Sequence, residues 1–289
     1  VPVGNLLATL VLFIMSNVLS AADFLGWGWR VAFWLSAVIV FVGYYIRTHV
    51  SEAPIFLEAK AQLEQEQAVS YGVREVIRKY PKGILQAMGL RFAENIMYYL
   101  VVSFAIVYLK SVHKYDTSSL LLALLIAHVI HFLVIPQVGR LVDSWGRKPV
   151  YLVGAITGAT WPFFAFPMFD TRNPVIIVLA VTIGLCLHAF MYAGQPALMS
   201  ELFPTRMRYA GVSLGSQVTS IFAGSLAPLL ATAWLKDTGS WLPTAIYLVV
   251  ACAITTAAVL SLKETKGIAL EEVDRADAER EGLAAAAVR

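Results

Sequence analysis

Residues 139–149 read GRLVDSWGRKP, a segment with three cations and one acid set between two long uncharged runs. Residues 118–138 before it and 149–169 after it contain no Asp, Glu, Lys or Arg. Each run approaches the roughly 20 apolar residues that a helix needs to cross a hydrocarbon core about 30 Å thick. A charged segment this short between two such runs reads as a tight connection. Gly139 and Gly146 permit a turn with close helix contact, and Asp143 can pair with an arginine or sit at a helix N-terminus.

Working outward from this connection, eight stretches have the length and polarity of membrane spans: residues 3–22, 29–46, 84–109, 118–138, 149–169, 174–199, 210–234 and 242–262. Each is bounded by charges, glycines or prolines. Helix is the expected state, because a backbone in hydrocarbon must satisfy its own hydrogen bonds. The chain of 289 residues is 58% hydrophobic and 14% charged, against a charged share near ~25% in soluble domains. This composition excludes disorder and an ordinary soluble enzyme, and it points to an all-α polytopic membrane protein. The net charge of +3 provides no field for nucleic acid. Cys186 and Cys252 lie inside apolar runs, without a neighbouring Cys or His at ligand spacing, so neither a disulfide, a metal site nor a cofactor is expected.

Charge also orients the spans. If the first helix leaves the cytoplasm, the loops on the inner side hold sixteen Lys and Arg, the outer side holds five, and Arg91 alone lies within a span. Cationic loops stay cytoplasmic, which places both termini inside. The long loop, residues 47–83, is expected to lie as surface helix on the cytoplasmic face. The tail, residues 263–289, has helix-forming composition but no apolar stripe and is expected to be a solvated extension. Residues 1–22 lack the basic start of a signal peptide, so none is expected there.

The 139–149 segment resembles the G-x-x-x-D-x-x-G-R-[RK] loop of the major facilitator superfamily, with Gly139, Asp143, Gly146, Arg147 and Lys148 in its positions. Three more stretches resemble the metabolite:proton symporters of that superfamily, the family of shikimate, α-ketoglutarate and proline/betaine carriers. GWGWRVAFWLSAVIVFVGYYIRTHVSEAPIF (26–56) is similar to their sixth helix and following loop, and LRFAENIMYYLVVSFAIVYL (90–109) to their seventh helix. GQPALMSELFPTRMRYAGVSLG (194–215) is similar to the end of the tenth helix and the start of the eleventh. The resemblance implies a major facilitator fold lacking about the first four of twelve helices. Residues 1–46 then form the last two helices of the N-terminal half, 47–83 the central loop, 84–262 the C-terminal six-helix half and 263–289 the tail. It further implies a bacterial inner-membrane protein that moves a small organic acid or related metabolite together with a proton. The alternative is a transport-inactive remnant that needs a partner to supply its missing helices.

Charged and polar groups inside the spans mark the candidate site. Arg91 and Glu94 share a helix face at i, i+3, with Asn95 beside them. Such charges persist in a membrane only with a partner or a wet cavity. They read either as a structural ion pair, or as a carboxylate-binding arginine with a proton-carrying or switching glutamate. His128 and His131, again at i, i+3, read as packing histidines or as one proton-relay group, and His188 reads more as packing. Tyr98, Tyr99 and Phe104 follow Glu94 as cavity wall or helix packing. Gln195 and Pro196 interrupt the sixth span, where a kink serves a cytoplasmic gate. Glu201, Arg206 and Arg208 read as a gate charge cluster. Gly211, Gly215, Ser216, Ser220 and Gly224 form a small-residue stripe for helix packing, with Gln217 as the one side chain expected to contact substrate. No H-E-x-x-H, CxxC pair or nucleotide loop occurs to support an enzyme, and nothing resembles a channel filter.

Overall fold

The computed structural model describes residues 2–49, 73–267, 272–277 and 279, and every regular element among them is helical. The helices are α1 (Pro2–Val18), α2 (Phe24–His49), α3 (Val73–Lys79), α4 (Pro81–His113), α5 (Thr117–Trp145), α6 (Arg147–Asp170), α7 (Pro174–Ser200), α8 (Met207–Thr238) and α9 (Leu242–Leu260). Seven of them, α2 and α4 to α9, are long and apolar enough to cross a membrane. α1 is apolar but has only 17 residues, shorter than the predicted span 3–22. It lies along one half of α5: Ser16 Oγ meets Ser118 Oγ at 3.3 Å, and Asn5 donates to Tyr98, which bonds His128 ten residues along α5.

α4 is the most buried long helix and α2 the least. α4 packs against α8 and α9, α6 against α7 and α9, and α5 against α7 and α1. One apolar core runs through α4 to α9, built on Leu90, Ile96, Phe104, Trp161 and Phe166. On α2, by contrast, Ile39, Phe41 and Tyr44 remain exposed. An apolar helix exposed on nearly all sides suits hydrocarbon rather than water.

The structure shortens the predicted connection 139–148 to one residue. α5 continues to Trp145 and α6 begins at Arg147, so Gly139 lies inside a helix with open space at its Cβ position. Gly146 makes the whole turn, with φ +108° and ψ 162°, a backbone state that only glycine adopts without strain. α7 breaks at Ala193 and Gly194, between Tyr192 and Gln195. Pro196 falls in the first turn of the second segment, where its missing N–H costs nothing, and Gln195 opens that segment. The small-residue stripe of α8 faces α4 closely: a Cβ on Gly215 would lie 2.7 Å from that of Ala87.

Of the loop 47–83, the structure describes α3, with a Lys79–Glu75 ion pair at 3.0 Å; residues 50–72 lie outside the described residues. Of the tail 263–289, residues 268–271, 278 and 280–289 lie outside the described residues, and two described carboxylates contact the bundle. Glu264 accepts from the backbone N–H groups of Arg147 and Lys148, both at 3.0 Å, and Asp274 accepts from Thr205 N and Oγ, both at 2.6 Å. Carboxylates at these positions satisfy orphan donors at the starts of two helices, which is what ties the tail down.

Candidate functional site

Arg91, Glu94, Asn95 and Tyr98 fall at i, i+3, i+4 and i+7 on α4 and therefore share one face. Glu94 is 4% exposed, and both its oxygens are engaged. Oε1 accepts from His188 Nε2 on α7 at 2.9 Å; Oε2 accepts from Arg91 Nη1 at 2.9 Å and from Gln195 Nε2 at 3.4 Å. Gln195 reaches both charges because the break in α7 puts it at the start of a new segment. Its Oε1 accepts from Arg91 Nη1 at 2.8 Å. The amide is oriented in turn by Tyr151 of α6, whose hydroxyl accepts from Gln195 Nε2 at 3.0 Å and donates to Leu90 O at 2.5 Å. Three helices thus converge on one ion pair.

The three histidines separate by their partners. His128 Nδ1 lies 2.8 Å from Leu124 O, a carbonyl that can only accept, so Nδ1 carries the proton and Nε2 is left as acceptor for the Tyr98 hydroxyl at 3.3 Å. Both its nitrogens are satisfied in the neutral state, as expected of a packing histidine. His131 is different: Nε2 lies 3.3 Å from His188 Nδ1, while Nδ1 is buried with no hydrogen-bond partner among the described residues. His188 joins His131 to Glu94 and is itself 2% exposed.

A cavity of about 290 Å³ opens on this cluster, between α1, α4, α5 and α7. That volume is at the small end of ligand pockets. Arg91, Glu94, Tyr98, His131, His188 and Tyr192 are among its walls. Arg91 Nε is buried without a hydrogen-bond partner among the described residues, so the guanidinium keeps one donor that those residues leave unpaired. Asn95 also borders the cavity and donates to Ser220 of α8 at 3.0 Å. Tyr98 and Tyr99 are both cavity residues, whereas Phe104 is buried in the apolar core against Phe166. Gln217 is exposed on α8 and does not border the cavity. Gly215, Ser220 and Gly224 approach Ala87, Asn95 and Tyr99 of α4, Gly211 approaches Phe203, and Gln217 is exposed.

At the Gly146 end of the bundle lies a second group of charges. Arg147 pairs with Glu201 at 2.8 Å, and Glu264 takes the backbone N–H groups of Arg147 and Lys148. Lys148 Nζ donates to Leu260 O at 3.0 Å and Leu262 O at 2.8 Å, and Arg208 Nε to Ser200 O at 2.9 Å. Asp143 is exposed and has no ion pair or hydrogen bond among the described residues, so Glu201 and Glu264 serve as the acids of this latch. The side chain of Arg206 lies outside the described residues. Partial burial pushes the Glu264 carboxyl up, but the four N–H groups of Arg147, Lys148, Lys266 and Thr265 outweigh this and hold it below the ordinary carboxylate value. Sequence reasoning passed over Tyr151, Asn5 and Glu264. A tyrosine in an apolar run, an asparagine near a helix start and one acid among many in a tail carry no local signal of their partners.

The arrangement pairs a cation that has a spare donor with an acid that a histidine chain can reach, beside a small polar cavity at mid-helix depth. The family model of the Major Facilitator Superfamily matches residues 3–208 and 128–284. The chain belongs to this superfamily. It is a multi-pass membrane protein whose relatives are transport proteins. It is 27% identical over 270 residues to the inner membrane metabolite transport protein YhjE of Escherichia coli K12, covering 92% of this chain and 60% of that protein. It is 27% identical over 266 residues to the shikimate transporter of the same organism, covering 91% and 60% respectively. With the glycine betaine/proline/ectoine/pipecolic acid transporter OusA of Dickeya dadantii it shares 31% over 278 residues, 91% of this chain and 53% of that one. Its fold is similar to that of the proton:xylose symporter XylE bound to 6-bromo-6-deoxy-D-glucose, with a TM-score of 0.69 at 21% identity over 95% of this chain and 64% of the other. The chain therefore spans between 53% and 64% of the length of these and similar curated relatives.

Proposed function

We propose that this chain forms part of a secondary transporter that moves a small organic acid with a proton across a bacterial inner membrane, with both termini and the Gly146 turn on the cytoplasmic side. The observation that carries the reading is Arg91: a partly buried guanidinium at a cavity wall, with Nη1 shared between Glu94 and Gln195 and Nε without a hydrogen-bond partner among the described residues. A planar guanidinium with a free edge is suited to a carboxylate.

Coupling follows from charge. With Glu94 ionised, a substrate carboxylate on Arg91 sets two negative charges against one cation. At about 4 Å and an effective dielectric of about 20, two like charges repel by about 4 kcal/mol, which is roughly a thousandfold in affinity. A proton on Glu94 removes that repulsion. Substrate and proton then favour each other's binding by the same factor, as linkage requires.

The test uses the protein purified from its native membrane and reconstituted in liposomes under an imposed pH gradient, with shikimate and glycine betaine as probes. Gradient-driven uptake of shikimate, abolished by Arg91→Ala and uncoupled from the gradient by Glu94→Gln, is expected. Preference for the zwitterion overturns the organic-acid reading, and silence with every carboxylate tried favours an inactive remnant that needs a partner for its remaining helices.

A further inference from the structure

We propose that His131 and His188 form a proton wire ending on Glu94, entered and left at His131 Nδ1. This deepens the transport reading above and rests on it for its purpose, although the wire itself stands on geometry. Three observations carry it. His188 bridges His131 and Glu94 through both ring nitrogens, at 3.3 Å and 2.9 Å. All three groups are nearly fully buried, at 1%, 2% and 4% exposure. The far nitrogen, His131 Nδ1, is buried and has no hydrogen-bond partner among the described residues, and the residue borders the cavity.

The proton count closes. An ionised carboxylate only accepts, so His188 Nε2 carries a proton toward Glu94. Its Nδ1 is then a lone pair, which accepts from His131 Nε2–H, and His131 Nδ1 is left as an open lone pair. A proton arriving at His131 Nδ1 lets His131 pass its Nε2 proton to His188 Nδ1, and His188 passes its Nε2 proton to Glu94 Oε1. One proton has entered, one carboxylate is neutral, and every hydrogen bond survives with its direction reversed: Glu94 O–H donates to His188 Nε2, and His188 Nδ1–H donates to His131 Nε2. Running the same steps backwards unloads Glu94 and restores the first arrangement. Unloading by any other path would leave both rings in the wrong tautomer, and a ring flip would be needed before the next cycle.

The neighbours are consistent with a wire of this extent. The titratable and charged groups around it are Arg91 and Tyr98 from α4, His128 on α5 itself, Tyr151 from α6 and Tyr192 from α7, while α1 contributes the uncharged Asn5. His128 is outside the wire, because its Nδ1 proton is committed to Leu124 O. Arg91 holds the other oxygen of Glu94 and is released when the carboxyl becomes neutral.

The experiment is a flash-induced pH drop on the reconstituted protein, read by the infrared band of a protonated carboxyl, with Glu94→Gln assigning the band. In the parent protein the band should rise promptly. In His131→Gln, which keeps a donor toward His188 but cannot relay a proton, the rise should slow more than tenfold while the equilibrium pH midpoint stays within about half a unit. His188→Asn should behave alike, and His128→Gln should keep the parent rate. A merely structural role would move the midpoint and leave the rate unchanged. A parent-like rate in both His131→Gln and His188→Asn overturns the wire, as does equal slowing in His128→Gln. Shikimate uptake is scored separately: a slowed band without gradient-driven uptake in the parent supports the wire and refutes the transport reading, and uptake with an unslowed band does the reverse.

Discussion

Replacing Gly146 by alanine should cost about 3 to 5 kcal/mol, of which about 1–3 kcal/mol is backbone strain at φ +108° and ψ 162°. The rest comes from the tail. The added Cβ would lie 2.8 Å from Glu264 Oε2 and 3.0 Å from its Cδ, so the carboxylate must swing away from the N–H groups of Arg147 and Lys148. Each of these two hydrogen bonds contributes about 1 kcal/mol net, the figure for an ordinary bond, because Glu264 is exposed and water can replace it. The two contributions are separable in a double-mutant cycle. Once Glu264→Ala has removed the carboxylate, Gly146→Ala should cost only the strain, about 1–3 kcal/mol. The assay is reversible unfolding in mixed micelles by added anionic detergent, followed by circular dichroism for the parent, both single variants and the double. If Gly146→Ala costs the same with and without Glu264, the carboxylate does not cap α6 across this turn; a cost under about 1 kcal/mol in both backgrounds refutes the strain as well.

The same carboxylate gives a pH signature. Its folded value is held below the ordinary 4.5, so its stabilisation is complete above the unfolded value and is lost as pH falls through the folded one. The stability difference between the parent and Glu264→Gln should be constant from neutral pH to about 5 and shrink below that, in unfolding curves measured at each pH. Tyr151→Phe removes the donor to Leu90 O and the acceptor for Gln195 Nε2, and should destabilise by about 1–3 kcal/mol; an unchanged unfolding midpoint would show that Gln195 finds another acceptor. Arg91→Ala leaves Glu94 buried without its cation and should cost about 3–5 kcal/mol, and adding Glu94→Gln should recover at least half of it in thermal unfolding. Asp116 accepts from Ser119 N at 2.8 Å at the start of α5, so Asp116→Ala should cost about 1 kcal/mol; no loss would mean that water caps the helix equally well.

The helices were legible from sequence because hydrocarbon leaves a backbone few choices: five of the predicted spans lie within α4 to α8, span 29–46 lies within α2, and span 242–262 overruns α9 by two residues. Their ends were less legible. Nothing in GRLVDSW stops a helix except Gly139, and a glycine on a helix face open to space stops nothing, so α5 runs on until a residue must take positive φ. The Arg91–Glu94 pair was visible because i, i+3 spacing is a property of one helix. Tyr151, Gln195 and His188 converge on that pair through the rotation of α6 and α7 about their axes, which the local pattern of either helix leaves undetermined. Gln217 shows the converse: a polar residue in an apolar run that is exposed on α8 and does not border the cavity.

The break in α7 sets one residue from each group of charges at the two ends of a short helical segment. Gln195 opens the segment Gln195–Ser200, with its amide on the Arg91–Glu94 pair, and Glu201 follows directly after that segment, on Arg147. Six residues separate the two side chains, about 9 Å along a helix. The segment is anchored in the core by Leu198 and Met199 and detached from the rest of α7 by Ala193 and Gly194. When Glu94 loses its charge, Gln195 loses the ionised acceptor of its Nε2 proton, and a displacement at that end is expected to reach Glu201 and the Gly146 turn along the segment. Uncoupling the two ends therefore requires no change in either charge pair: flexibility introduced within the segment, by Ala197→Gly, should leave both pairs intact in the resting state. Crosslinking across the Arg147–Glu201 contact should then lose its dependence on the protonation of Glu94, and retention of that dependence would mean that the signal reaches the latch through α4 or α6 instead.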